Sequence, residues 1–298
     1  MTVRIVCALF FSIAASSNTA GADLSVPPRF DHVVIVIMEN TSESAIIGNT
    51  VDAPYINSLV TDRGVSFSNA HAVTHPSQPN YIALFSGDTQ GVTDDQCLSG
   101  FSGVASLGGQ LIGAGFTFVG YSESMPGAGY TGCSGGPSDG TSLSYQRKHN
   151  PWVDFDDVSA QSNQPFSSFP GDFAALPDVA FVVPNMCDDM HDCSTSTGDT
   201  WLQNNLDGYV QWAKTHNSLL VLTWDENDGS PGNQIPLVFA GARLIPGSYA
   251  EDIDHYSILR TIEDMYALVP LGNAASRSAI VDVWDDDIFA NGFETPPP

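Results

Sequence analysis

Apolar positions come in blocks along this chain, and the blocks repeat in one order: a short apolar run, then a longer segment with helical spacing. His32-Val33-Val34-Ile35-Val36-Ile37-Met38 is a continuous, β-branched run. That pattern predicts a strand buried on both faces of a parallel sheet. Ala53 to Val60 reads as a helix closed near Gly64, followed by a short strand at Val65-Ser66-Phe67. Ser77 and the residues to Gly87 read as the first turns of a helix, because Pro79 supplies the fixed φ of a first turn, with Ser77 or Gln78 near the cap. Leu107 to Ala114 reads as a glycine-weakened helix, and Phe116 to Tyr121 as a strand running into Ser122-Glu123. Residues 122–172 are rich in Gly, Ser, Asp and Pro and lack period, which predicts a long functional insertion. Strands follow at Val179–Val183, Asn217–Trp224 and Pro236–Phe239, with helices over Asp199–Thr215 and Tyr256–Leu268. Strands alternating with helices predict an α/β three-layer sandwich, α/β/α, with a mostly parallel central sheet.

In such a fold ligands gather at the carboxyl ends of the strands. The polar groups fall there. Glu39-Asn40 follows one buried strand, Asp225-Glu226 another, and the turn holding His191 a third. Two acidic corners meeting at one sheet edge would repel unless a cation lay between them. A divalent metal ion answers that need, with Mg, Ca, Mn and Zn all compatible with the ligand set Glu39, Asn40, Asp225 and Glu226. Ser77, near a helix N-terminus, sits where backbone N–H groups and the helix dipole favour a phosphate and a serine alkoxide. Thr74 is the rival nucleophile, but His75 and Pro76 separate it from the helix start. His191 can donate to a phosphoryl oxygen or protonate a leaving group. His149, beside Arg147 and Lys148, is placed to contact substrate phosphate and His75 to orient the Ser77 turn, while His255, at a helix start, is expected to cap or to line the pocket, with capping favoured.

Composition narrows this further. Asp and Glu number 34 against 9 Lys and Arg, a formal net charge of −25, so no basic stripe exists to hold nucleic acid. Phosphate chemistry must rest on local positive charge. Arg4, the apolar stretch Ile5 to Ala15 and Ala20-Gly21-Ala22 form a secretory signal peptide, cut near Ala22. No later segment is long and apolar enough to span a membrane, so a secreted or periplasmic protein is expected. Setting Cys7 aside leaves Cys97, Cys133, Cys187 and Cys193, an even number suited to two disulfides. Three pairings are possible; proximity favours Cys187–Cys193 with Cys97–Cys133. The domain reading is 1–22 signal peptide, 23–284 catalytic domain, and 285–298 an acidic, Pro-rich tail.

Phe30-Asp31-His32 running into Met38-Glu39-Asn40, Ala53-Pro54-Tyr55, Thr74-His75-Pro76-Ser77-Gln78-Pro79-Asn80-Tyr81, Arg147 to Trp152, Asn185 to Cys193, Thr223-Trp224-Asp225-Glu226 and Asp254-His255-Tyr256 occur in order over nearly the whole mature chain. Together they resemble the phosphoesterase family of acid phosphatases and phospholipases C, in the alkaline phosphatase superfamily. The resemblance implies an alkaline-phosphatase-like fold and one divalent metal on Glu39, Asn40, Asp225 and Glu226. It also implies a nucleophile at Ser77 that touches the metal. The turn also looks like the nucleophile turn of the nucleotide pyrophosphatases, which puts Asn80 near the phosphoryl oxygens. His149 and His191 match pocket histidines. Thr41 departs from the family, which often has a basic or imidazole side chain there, and the extra C-terminal domains of the larger phospholipases are lacking.

The expectation is an exported, metal-dependent phosphomonoesterase acting on a small phosphorylated substrate through a phosphoserine at Ser77. A phosphodiesterase or phospholipase C is the close alternative. A non-catalytic metal- or phosphate-binding protein is the distant one.

Overall fold

A computed structural model describes residues 26–136 and 144–285. The proposed signal peptide and nearly all of the acidic tail lie outside the described residues. The centre is an eight-stranded sheet in the order Gly247–Tyr249, Val65–Phe67, Leu237–Gly241, Ser218–Trp224, His32–Met38, Val179–Val183, Phe118–Ser122 and Asn163–Pro165. Only Leu237–Gly241 runs antiparallel to its neighbours, so the sheet is mostly parallel as predicted. The two runs read as buried on both faces are its central pair, in register from His32 opposite Ser218 to Met38 opposite Trp224.

Helices cover the sheet in two groups. Pro54–Thr61 packs with Thr195–Ala213, and Ser77–Ser86 packs with His255–Met265 and Leu107–Gly113. Every residue of Ser77–Ser86 is buried, and Gly87 ends it in the left-handed region at φ 75°, a conformation that favours glycine. Thr195–Ala213 begins four residues before its predicted start, because Ser194 caps it by accepting from Thr197 N.

Among its described residues, the segment expected to be an unpatterned insertion has more regular structure than its composition suggested. Its described residues return Asn163–Pro165 to the sheet edge and include short strands and single 3-10 turns, too brief to leave a period. Its anchor is Trp152. That ring lies over Gly120, where a Cβ would meet it at 2.1 Å, and its indole N–H donates to Asn163 Oδ1 at 2.8 Å. Ser122 Oγ donates to Asn150, so the turn Arg147–His149 is held against the carboxyl end of the sheet. Of the three possible disulfide pairings the structure has Cys97–Cys133 and Cys187–Cys193. Among the described residues no helix is long and apolar enough to cross a membrane.

Candidate active site

Register builds the site. Met38 and Trp224 are paired at the ends of neighbouring parallel strands, so the next residues, Glu39 and Asp225, leave the sheet side by side. Asp225 N donates to Met38 O at 3.0 Å, and Asn40 N returns a bond to Asp225 Oδ1 at 3.1 Å. Asn40 takes φ 47° to make that turn, a conformation Asn tolerates better than most residues. The third corner is the Cys187–Cys193 loop. There Asp189 O accepts from Glu39 N at 2.8 Å, and the Asp189 side chain accepts from His191 N at 2.8 Å.

Ser77 meets these corners. Its Oγ lies 3.1 Å from Glu39 Oε2 and 3.2 Å from Glu226 Oε1. It is the first residue of its helix, directly after the cap position at Pro76. The other oxygen of Glu39 accepts from Tyr81 OH at 2.5 Å, and Glu226 is paired with His75.

Burial of so many acids shifts them. Burial, then the charges of Asp225 and Asp189, hold Glu39 well above the usual carboxylate range. Burial and the neighbouring Glu226 push Asp225 up to about 7. Burial also raises Glu226 and Asp189. Asn40 Oδ1, Asp225 Oδ2 and Asp189 Oδ2 are buried with no hydrogen-bond partner. Orphaned oxygens of this kind are costly unless something else satisfies them. Glu39, His149 and Asp189 also place ligand atoms within 4.8 Å of one another, so this buried group can hold a metal ion. The donors are mostly oxygen with one imidazole, a set that fits a hard or borderline divalent cation.

Three of the expected residues have surroundings that their spacing does not show. Asn80 was placed near the phosphoryl oxygens, but its side chain is fully engaged by its own loop. It accepts from Val73 N and Thr74 N at 3.0 Å each, and donates to Thr74 O at 2.9 Å and Pro76 O at 3.1 Å. It braces the turn that presents Ser77. His149 was assigned to substrate, yet it is buried and stacked on Tyr81, with Nε2 3.2 Å from Glu39 Oε1 and Nδ1 3.6 Å from Asp189 Oδ2. Burial, then the nearby Lys148, holds its pKa well below the usual imidazole value, which favours the neutral ring that ligation needs. His255 does not cap its helix. Asp254 does, accepting from Ser257 N at 2.9 Å, while the buried His255 ring meets Trp224 O at 2.9 Å, just before Asp225.

His191 stands at the rim, its side chain 27 % exposed, Nδ1 2.7 Å from Asp192 Oδ1 and its ring 6.3 Å from that of His149. Asp189 and Tyr81 were missed in the sequence. Asp189 is one of three acids in a ten-residue turn, and nothing in the spacing singles it out. Tyr81 falls one helical turn after Ser77 and was detectable on that ground.

The chain matches the Phosphoesterase family over residues 50–269. It is 46% identical over 284 residues to the phosphatidylinositol-3-phosphatase of Mycobacterium tuberculosis, covering 95% of this chain and 92% of that protein. A phosphate-repressible acid phosphatase of Penicillium chrysogenum is 32% identical over 262 residues, covering 82% of this chain and 60% of the fungal protein. Among solved structures, a Vibrio parahaemolyticus protein of the alkaline phosphatase superfamily superposes with a TM-score of 0.58 at 9% identity, covering 85% of this chain and 71% of that one. The Silicibacter pomeroyi phosphonate monoester hydrolase does so with 0.54 at 12% identity, covering 89% and 77%. At those identities the structural likeness speaks to the fold alone.

Proposed function

The chain belongs to the Phosphoesterase family and is a phosphoester hydrolase, and from that premise we propose an exported, metal-dependent phosphomonoesterase with Ser77 as nucleophile. One observation carries the proposal: the Ser77 hydroxyl sits at a helix N-terminus within 3.1 and 3.2 Å of carboxylates from two different sheet corners.

Glu39, Asn40, Ser77, Asp225 and Glu226 would hold the metal, with His149 and Asp189 as the donors the fold adds. A divalent cation there supplies a Lewis acid for the serine oxygen and the phosphoryl group. The donor set is compatible with Mg, Ca, Mn and Zn.

The residues do the rest. Asn80 holds the turn so that Ser77 Oγ faces phosphorus in line. Oγ forms the new O–P bond, the ester O–P bond breaks, and the serine proton passes to a carboxylate, with Glu226 and Glu39 both in reach. His191, at the rim, protonates the departing alkoxide. The positive end of the helix dipole stabilises charge on the transferring group. Water then cleaves the phosphoserine and the hydroxyl returns.

The names of the relatives, phosphatidylinositol-3-phosphatase and acid phosphatase, support a phosphate monoester substrate. The two disulfides support export, and residues 1–22 are proposed as the cleaved leader ahead of a catalytic domain over 23–284.

Ser77→Ala is the test. Turnover of an aryl phosphate should fall by at least about 10⁴-fold, and acid-quenched wild-type protein should carry phosphate on the peptide containing Ser77. Full turnover by the alanine variant would falsify the mechanism.

A further inference from the structure

Among the described residues several cations are paired away from the reactive hydroxyl. Arg147 pairs with Asp154 at 2.5 Å, Lys214 with Asp62 at 2.6 Å and Arg260 with Asp264 at 2.8 Å, while Arg277 is bound to Asp254. Lys148 is placed differently. It shares a 3-10 turn with His149, whose ring is 3.2 Å from Glu39. Its Nζ is 2.8 Å from Asp95 Oδ2, and its side chain is 16 % exposed. The other oxygen of Asp95 accepts from Gln78 N at 3.0 Å, the residue directly after Ser77. The ammonium is therefore tied, through one carboxylate, to the first turn of the nucleophile's helix. Its field reaches Glu39, Asp225 and Asp189.

Resting on the reading of Ser77 as nucleophile, we propose that Lys148 contacts the unesterified phosphoryl oxygens and so selects monoester dianions over diester monoanions. The argument is charge and donor count. A phosphate monoester brings three unesterified oxygens and two charges toward a wall of buried acids; a diester brings two oxygens and one charge. The extra charge is tolerated only where a cation meets it. An ammonium has three N–H donors, and a bond to Asp95 leaves two free to donate. A partly buried cation is also less screened by salt than a surface one. Asp95 acts as a positioning residue. It fixes the distance between the ammonium and the turn presenting Ser77, so both face one phosphorus.

The test pairs nitrophenyl phosphate with bis(nitrophenyl) phosphate. Lys148→Met keeps the length and loses the charge. Its kcat/KM should fall on the order of 10²-fold for the monoester and less than about threefold for the diester, with Lys148→Arg recovering much of the loss. A second readout does not need turnover. In metal-loaded protein given no ester, Lys148→Met should weaken inorganic phosphate binding, measured by calorimetry, by about tenfold or more. Metal content should not change. Equal losses on both esters, unchanged phosphate affinity, or loss of bound metal would each overturn the proposal. If the wild type does not turn over the diester, phosphate binding decides; if Lys148→Met does not fold, Lys148→Gln replaces it. The parent reading fails by another route, through an active Ser77→Ala.

Discussion

The acids at the two ends of the central sheet obey opposite rules. At the amino ends of the strands they are matched. Asp178 accepts from Thr117 N at 2.8 Å and Thr117 Oγ1 at 2.6 Å. Asp62 meets Lys214 at 2.6 Å, and that hydrogen bond holds its carboxyl below the usual range. At the carboxyl ends Glu39, Asp189 and Asp225 are buried beside one another and all are raised, with oxygens of Asp189 and Asp225 left without a donor. The first arrangement is how a protein stabilises an acid. The second makes sense when the acids await a ligand, because isolated buried charge opposes folding. Perturbed acids gathered in one place therefore mark the site on physical grounds.

The largest effect that separates the two ends is Asp225→Asn. Aryl phosphate turnover should drop by about 10³-fold or more. The metal-free protein should become more stable, by about 1–3 kcal/mol in urea unfolding, because a crowded buried charge is removed. A loss of stability there would erase the contrast.

A smaller effect is pH dependence. The Asp225 carboxyl is raised to about 7 in the folded chain, above its unfolded value of about 3.9. The folded state thus holds its proton more tightly. Its contribution is complete below the unfolded value and is lost as pH rises through about 7. Thermal melts of chelated protein should fall by several degrees over that interval. Metal should restore more stability at the higher pH, since ligation needs the ionised carboxylate. A flat profile for the chelated protein would contradict the electrostatics described.

The smallest is Asp178→Asn. Losing charge-assisted bonds to Thr117 should cost about 1 kcal/mol of stability and leave turnover within about twofold. A large activity loss would mean the far end is coupled to the chemistry.

The same contrast explains what was legible in the chain. His32–Met38 and Ser218–Trp224 announce themselves because a strand buried on both faces has no polar position to interrupt it. Their register then delivers Glu39-Asn40 and Asp225-Glu226 with no further information. Ser77 was readable from Pro79 and the helix start. Asp189 was not, because a disulfide-closed turn has no period and its three acids look alike. Asn80 and His149 were located, but their surroundings were not. Position along the chain does not reveal that the four bonds of Asn80 close on its own loop, or that His149 is buried against Tyr81. Arg147 and Lys148 are neighbours in the sequence, yet each has a separate partner: Asp154 for one, Asp95 for the other.

Metal stoichiometry tests the central claim most directly. Chelated protein is dialysed against each divalent ion in turn, and bound metal is counted per chain for wild type and Asp225→Asn. One ion per wild-type chain and less than about a tenth of that for the variant is the expected result, since ligand removal weakens such sites by orders of magnitude. Equal occupancy in the two proteins, or none in either, would mean that the buried acids at the carboxyl end of the sheet do not hold a cation.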